Sequence, residues 1–363
     1  MNIGVNARHL IEGKLEGIGW YSYEILKRLV LLRPNDQFFF FYDRKTKPLV
    51  SGINVTNVTV NPQARHPLLF KLWYNYALPK QIKTHKIDFL FSPDGFISLR
   101  SNIRQVGVIH DLNFEHYPND VPKGVLKYYQ KYMPLFAKKA SDVVTVSEFS
   151  KKDICNKYDI SSDKVHVIYN GGNNIFKPIS KADRQAFIKI NNNDRPYFIY
   201  VGSLHKRKNI ERMLKAFQSF NEKDKQMDFV IIGHPMWQDQ LKLDGLLENV
   251  HFKGRKSGEN LSKWVASSAA LVYVSYFEGF GLPVLEGMMA GVPVLTSNVT
   301  SMPEVGAEAV IYADPFSISS ISDGFFKIVE DDSFDKFRTL GLQQSKLFSW
   351  DRSAQEIENL LFK

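Results

Sequence analysis

The sequence predicts an α/β protein of two doubly wound parallel-sheet domains, and three observations carry that expectation. Short apolar segments rich in β-branched and aromatic residues alternate with amphipathic helical segments along nearly the whole chain, the pattern of parallel strands covered on both faces. At 363 residues the chain is long for one core and comfortable for two. The alternation breaks once, at Asn170-Gly171-Gly172-Asn173-Asn174, followed by Pro178 and a polar run to Asn191-Asn192-Asn193-Asp194, which is hinge and linker chemistry. The boundary falls there, giving domains 1–172 and 173–348.

In the first half, Ile3-Gly4-Val5 reads as a strand. Glu16-Gly17-Ile18-Gly19-Trp20 reads as a glycine loop opening a helix from Tyr21 to Leu32, where Ile25, Leu26, Leu29, Val30 and Leu31 recur at helical spacing. Ser22 stands where the third glycine of Gly-x-Gly-x-x-Gly would be, and Gly-x-Gly alone is a weak dinucleotide signal. Phe38 to Tyr42 and Val58-Thr59-Val60 are further strands. Leu68 to Lys86 reads as a helix in which Phe70, Trp73, Tyr74 and Tyr76 interleave with Lys71, Lys80, Lys83 and Lys86, with Arg65 and His66 just before. Such a stretch either seats at an anionic lipid surface or buries its aromatic face and solvates its lysines. Asp88 to Ser92 is a strand ending at the Pro93-Asp94-Gly95 turn. Gln105 to Ile109 delivers His110-Asp111 at its carboxyl end, where open α/β sheets bind ligands. Val143 to Ser147 and Val165 to Tyr169 close the first sheet around a helix from Glu148 to Lys157.

The second half repeats the alternation. Tyr197 to Val201 is a buried strand leading into the basic loop Gly202-Ser203-Leu204-His205-Lys206-Arg207-Lys208-Asn209. Three successive cations are ordinary as a solvated loop, but at a strand end facing a glycine-rich helix start they suit a diphosphate. Phe229 to Gly233, Val250-His251-Phe252 and Leu271 to Ser275 are strands. The stretch that follows organises the chain: Gly279-Phe280-Gly281 breaks the strand, Pro283 suits the first helical position, and Gly291 with Pro293 stops the helix. A helix start leaves N–H groups unpaired and attracts phosphate, while glycines admit close approach. Glu278 and Glu286 bracket the loop, and carboxylates accept from the hydroxyl pairs of a ribose and a sugar beside a diphosphate. Alone, Glu286 would only complement the helix dipole and Glu278 would be a solvated loop residue. Ser301-Met302-Pro303-Glu304 reads as a capping box, Ala309 to Tyr312 as a last strand, and Ser353 to Phe362 as a final helix after Ser349-Trp350-Asp351.

Composition narrows the classes. Hydrophobic content of 44% and charged content of 23% are ordinary for a globular protein, and a formal charge of +9 favours anionic partners. The single cysteine, Cys155, rules out an internal disulfide framework, fits a reducing compartment and reads as inert. Met1 to Val5 passes directly into a strand pattern without the features of a signal peptide, and no run of about 18 apolar residues is present.

Glu278 and Glu286, with seven residues between them inside Glu-Gly-Phe-Gly-Leu-Pro-x-Leu-Glu, resemble the signature of family 4 of the retaining nucleotide-sugar glycosyltransferases, which have the GT-B fold. The resemblance covers nearly the whole chain and is densest from Tyr200 to Pro315. It implies two Rossmann-like domains facing a deep interdomain cleft, with the terminal helix, from about 349 to 363, packing back on the first domain. It implies transfer of a hexose from a nucleoside diphosphate sugar, with closure about the Asn170 hinge excluding water. By the resemblance, Gly17 and Gly19 lie against the donor diphosphate and His110 against the transferred sugar. Lys208, with Arg207 second, neutralises the leaving diphosphate; Glu286 holds the ribose and Glu278 the hexose; Gly279, Phe280, Gly281 and Leu282 complete the donor site. Ser203 replaces an arginine found in many relatives. The mannosyltransferase-like branch is the best match, so GDP-mannose is the expected donor, with a UDP-sugar second, and the acceptor is a glycan or lipid-linked saccharide in cell-surface polysaccharide synthesis. No cofactor, metal or nucleic acid is expected, since no metal-binding Asp-x-Asp loop stands out and Asp331-Asp332 lies in a late polar stretch. The expected location is cytoplasmic, with peripheral contact at the inner face of an anionic membrane. The competing readings are a nucleotide-sugar epimerase or hydrolase of the same fold, a non-catalytic binder of nucleic acid or membrane, and a dehydrogenase.

Overall fold

A computed structural model describes residues 1–13, 15–223, 227–233, 249–330 and 333–363. The chain forms two compact units, Met1–Gly171 with Ser349–Lys363, and Gly172–Phe348. Asp331 and Asp332 lie outside the described residues.

The first unit holds strands β1 (Asn2–Asn6), β2 (Gln37–Tyr42), β3 (Val55–Thr59), β4 (Phe89–Ser92), β5 (Arg104–Val108), β6 (Asp142–Thr145) and β7 (Val165–Val167). They form one sheet in the order β3-β2-β1-β4-β5-β6-β7, and every neighbouring pair is parallel. A parallel sheet covered on both faces needs nearly continuous apolar strands, which explains the run of four phenylalanines in β2. Phe38 and Phe40 pair with Ile3 and Val5 in register and are fully buried, as is Phe41. Replacing such a phenylalanine with alanine costs about 3–5 kcal/mol.

The sheet order reverses between β1 and β4, so the carboxyl ends of those strands flank a switch point, where open α/β sheets take ligands. The C-terminal helix, Trp350–Leu361, belongs to this unit. Arg28 pairs with Asp351, Arg33 with Glu358 at 3.2 Å, and Arg104 caps the helix carbonyls of Leu360 and Leu361 at 2.9 and 2.6 Å. A Cβ on Gly171 would lie 2.1 Å from the Trp350 nitrogen, so only glycine lets the chain pass under this helix.

The second unit holds β8 (Tyr197–Val201), β9 (Asp228–Ile232), β10 (Val250–Phe252), β11 (Ala270–Tyr273), β12 (Val294–Ser297) and β13 (Ile311–Ala313), all parallel in the order β10-β9-β8-β11-β12-β13. Its switch point lies between β8 and β11. Phe198, Phe217, Phe220, Phe229 and Phe325 pack edge to face and tilted beneath the sheet, joining strands to the flanking helices Ile210–Asn221 and Ile318–Val329.

The structure corrects several local expectations. The first helix begins at Gly17, not Tyr21, so Gly17-Ile18-Gly19 is its first turn rather than a loop; neither glycine there needs a positive φ. Strand β3 lies at Val55–Thr59 and starts three residues earlier than expected. The stretch from 67 to 84 is helical but is interrupted by a π segment at Trp73–Ala77. The polar run after Pro178 contains a helix, Lys181–Asn191, capped by Ser180 Oγ on the Asp183 N–H at 3.1 Å. The helix Lys123–Lys139 has no counterpart in the sequence reading; its many lysines and the internal Pro134 mask a buried stripe of Tyr128, Met133, Phe136 and Ala137.

Candidate functional site

In the second unit the two strands at the switch point deliver the predicted charges to one place. After β8, Gly202 adopts φ +154° and residues Lys206–Lys208 form one tight turn. Asn209, left-handed at φ 63°, donates its amide to the Val274 and Pro315 carbonyls at 3.0 and 2.7 Å, which ties this turn to the end of β11. After β11, Glu278 lies buried with three side chains on Oε1 and one on Oε2. Lys208 Nζ donates to Oε1 at 2.5 Å and Arg207 Nη1 lies 2.7 Å from Oε2. Tyr273 Oη donates to Oε1 at 3.0 Å while accepting from Lys208 Nζ. Ser275 Oγ lies 2.7 Å from the same oxygen, 2.8 Å from the Arg207 carbonyl and 3.3 Å from the Phe277 carbonyl, one proton shared among three acceptors.

Burial alone would raise the pKa of Glu278, but Arg207 and Lys208, with the hydrogen bonds from Lys208 and Ser275, outweigh it and hold the carboxyl at about 2. Tyr273 moves the other way: burial and the Glu278 charge push its phenol well above 10, so it remains a neutral donor. Two cations against one carboxylate leave the cluster cationic, which suits a diphosphate.

Gly281 takes φ +99° and caps the helix Leu282–Met289, with Pro283 in its first turn at the second position, one later than expected. Phe280 is buried against Phe348, ring centroids 5.5 Å apart, which anchors the bend. Ser301 does not form the expected capping box. Its hydroxyl instead donates to the Glu278 carbonyl at 3.0 Å, because the helix it precedes, Met302–Gly306, is only five residues long and leans on this loop.

Glu286 is the opposite of Glu278. Its carboxyl meets no hydrogen-bonding group among the described residues, and burial pushes it up to about 8. A carboxyl left without a partner in the early turns of a helix is a ready acceptor for ligand hydroxyls.

In the first unit, His110 follows β5 and its Nε2 lies 2.8 Å from the Pro93 carbonyl. A carbonyl only accepts, so Nε2 carries the proton and Nδ1 presents its lone pair. Burial lowers the imidazole below its usual 6.5, against the pull of the Pro93 carbonyl and Asp111, so the ring is neutral at pH 7. Tyr21 packs edge-on to it at 4.8 Å, linking His110 to the helix that begins at Gly17. The two glycines differ: a Cβ at Gly17 would meet nothing within 4 Å, whereas one at Gly19 would sit 2.9 Å from the His9 carbonyl. Gly17 therefore opens onto free space, while Gly19 serves the packing of this unit.

The sequence reading did not single out the hydroxyls of Tyr273 and Ser275. Their i, i+2 spacing at the end of a strand, aimed to the same side as the coming Glu278, is the signal that could have found them. It also missed a buried cluster at the first switch point. Asn6 donates to Tyr74 Oη, Ser92 Oγ and Asp94 Oδ1, at 3.0, 2.8 and 2.6 Å. The Arg8 guanidinium lies over Phe70 at 4.9 Å and pairs with Asp94. Burial opposes ionisation of Asp94, but His9 and Arg8 hold it well below the usual carboxylate range. No group of three or more His, Cys, Asp or Glu suited to a metal occurs among the described residues, and no described helix is long and apolar enough to cross a membrane.

Each unit carries a parallel Rossmann-like sheet, and the second adds a cation pair, a buried ionised carboxylate and an unpartnered one around a glycine-capped helix start, the features of a transferase of the glycosyltransferase class. Comparison with known proteins agrees. The family pattern for glycosyl transferases group 1 matches residues 182–340, and that for Glycosyltransferase Family 4 matches residues 16–173. The chain is 30% identical to O-antigen chain mannosyltransferase B of Escherichia coli, covering 96% of each chain. It is 28% identical to O-antigen chain mannosyltransferase RfbU of Salmonella typhimurium over 72% of each. Among solved structures, sucrose-phosphate synthase from Thermosynechococcus elongatus matches with a TM-score of 0.79 at 17% identity, over 99% of this chain and 98% of that one. The chain belongs to the family 4 glycosyltransferases, with relatives that are mannosyltransferases of O-antigen synthesis.

Proposed function

We propose that this glycosyltransferase moves mannose, with retention of anomeric configuration, from GDP-mannose to a saccharide acceptor during assembly of a surface polysaccharide. The observation that carries the reading is the contrast at the second switch point: Glu278 is ionised and held, while Glu286 is unpartnered and poised. In this reading the Glu286 carboxyl accepts from the two ribose hydroxyls, whose hydrogen bonds favour its ionised form. Glu278 orients the hexose through its hydroxyls. As the glycosidic bond breaks, negative charge grows on the diphosphate, and Arg207, Lys208 and the N–H groups of the helix start at Gly281 to Leu282 offset it, so the transfer needs no metal. Gly17, open to space, admits a diphosphate oxygen close to its backbone. Neutral His110 offers Nδ1 to a hydroxyl of the transferred sugar. The mannosyltransferase relatives support the choice of sugar.

The finer part of this reading is a cytoplasmic enzyme that works on lipid-linked acceptors beside an anionic membrane. It rests on the exposed residues Leu68, Leu72 and Tyr76, spaced four apart, with Lys71 exposed among them.

The test is donor screening. GDP-mannose, UDP-glucose and UDP-galactose are each incubated with the protein, with and without saccharide acceptors and with EDTA. Nucleotide release and acceptor mass are measured. Acceptor-dependent release of GDP that survives EDTA is expected. Turnover of a UDP-sugar alone would overturn the mannose assignment, and release without any acceptor product would overturn the transferase reading of the site.

A further inference from the structure

A second concave site lies in the first unit, apart from the strand carboxyl ends that carry His9, Asp94 and His110. It is a groove of about 770 Å³ walled by the helical stretch from 75 to 83 on one side and by residues 100–103, which lead into the amino end of β5, on the other. Its apolar floor is Ile82 and Ile103. No acidic residue lines it. Lys80, Lys83 and Arg100 do line it, and none of the three has an ion-pair partner among the described residues. Elsewhere in this unit the cations of Arg8, Arg28, Arg33, Arg44 and Arg104 are all paired with carboxylates. The groove concentrates positive charge that the chain itself leaves unanswered.

Two details make it more than a patch of solvated lysines. The Arg100 guanidinium carbon lies over the Tyr76 ring, 4.0 Å from its centroid, a contact that holds the cation at the groove. Asn75 is only 7% exposed. Its Oδ1 accepts the Leu99 N–H at 3.0 Å, which settles the orientation of the amide because an N–H cannot donate to another donor. Asn75 lines the groove, and its Nδ2 has no hydrogen-bond partner among the described residues. Asn75 owes this position to the π segment Trp73–Ala77, whose widened turn keeps Trp73, Tyr74 and Asn75 buried and sends Tyr76 outward beneath Arg100. Helix irregularities of this kind recur at functional sites.

One groove is therefore lined by a buried amide, a guanidinium over an aromatic ring and two ammonium groups, with isoleucines among them and no carboxylate. We propose that this groove binds the phosphate group of an amphiphilic ligand, with phosphate oxygens on Asn75, Lys80, Lys83 and Arg100 and an apolar portion on Ile82 and Ile103. The phosphate source is either an anionic lipid headgroup or a soluble phosphate ester, and the shared chemistry is the same. The site is independent of the donor reading above.

The test uses the full chain and the double variant Lys83→Glu/Arg100→Glu, both at exposed positions, with the Lys208→Ala variant as the control for the donor site. Inorganic pyrophosphate is titrated calorimetrically into each. Each is also sedimented with vesicles of phosphatidylcholine, alone and mixed with phosphatidylglycerol. In the double variant, binding of pyrophosphate, of the anionic vesicles or of both should weaken about tenfold or more, while Lys208→Ala keeps what the double variant loses. Loss in the vesicle arm only identifies a lipid headgroup, and loss in the pyrophosphate arm identifies a soluble phosphate. Unchanged binding in both arms, or a loss that Lys208→Ala reproduces in full, overturns the proposal. Sugar-nucleotide turnover on a soluble acceptor should be the same in the double variant and wild type, so failure here leaves the transferase reading standing.

Discussion

Replacing Glu286 with glutamine should make the protein more resistant to alkaline pH while slowing its reaction. Burial raises the carboxyl from 4.5 to about 8 in the folded chain. Between those values the folded state holds a proton that the unfolded state has lost, so wild-type stability falls as pH rises through this window. The full shift corresponds to about 5 kcal/mol at about 1.4 kcal/mol per pH unit; Glu286 is partly exposed, so solvent screening reduces this to about 2 kcal/mol. Glu286→Gln cannot titrate and removes that slope. A domain of this size shifts by about 2–4 °C per kcal/mol, so the gap between variant and wild-type midpoints should widen by about 4–8 °C from pH 5 to pH 8.5. Scanning calorimetry across that range reads it, and the comparison of slopes cancels any constant cost of burying an amide. In the same wild-type protein, donor nucleotide should bind with release of a proton near pH 7, because ribose hydroxyls favour the ionised carboxyl; titration in buffers of different ionisation enthalpy measures this. Parallel midpoint curves for the two proteins would refute the placement of Glu286 as a half-buried carboxyl without a partner.

Three further outcomes follow from the geometry. Lys208→Ala should abolish most turnover and, unlike a surface lysine, also destabilise the fold by about 3 kcal/mol, since it strips one of two cations from buried Glu278; urea unfolding with a midpoint equal to wild type would contradict it. Tyr273→Phe keeps the ring and loses the hydroxyl that holds both Lys208 and Glu278, so kcat/KM should fall about tenfold to a hundredfold, and the acid limb of its pH profile should move upward because Glu278 loses a donor to its charged form; an unshifted limb would mean Tyr273 serves packing alone. Gly171→Ala forces a methyl against the Trp350 nitrogen and should lower stability by at least about 2 kcal/mol, seen as a lower urea midpoint and protease access to the last helix.

The sequence reading of Lys208 illustrates where local pattern stops. The triplet Lys206-Arg207-Lys208 reads as a basic loop, and nothing in it separates the exposed Lys206 from the buried Lys208. That distinction arises because Asn209 ties the turn to the end of β11, a strand more than 60 residues away in the chain. The capping-box reading of Ser301 failed for a related reason: the spacing from Ser301 to Glu304 is local, but the acceptor the hydroxyl finds is the Glu278 carbonyl. The helix Lys123–Lys139 escaped because its apolar positions are diluted by lysine and broken by Pro134, and it is stabilised by packing rather than by propensity.

Period-two and helical patterns, glycine and proline placement, and the Glu278-to-Glu286 spacing are all local properties of the chain, and they determined the class of fold, the alternation of its elements and the stretch that carries the chemistry. The protonation of that chemistry was decided by tertiary structure. Two glutamates eight positions apart look equivalent in sequence, yet one lies among two cations and two hydroxyls at about 2 and the other stands alone at about 8. Charge, unlike periodicity, depends on what lies nearby in space, and only the folded chain sets those distances.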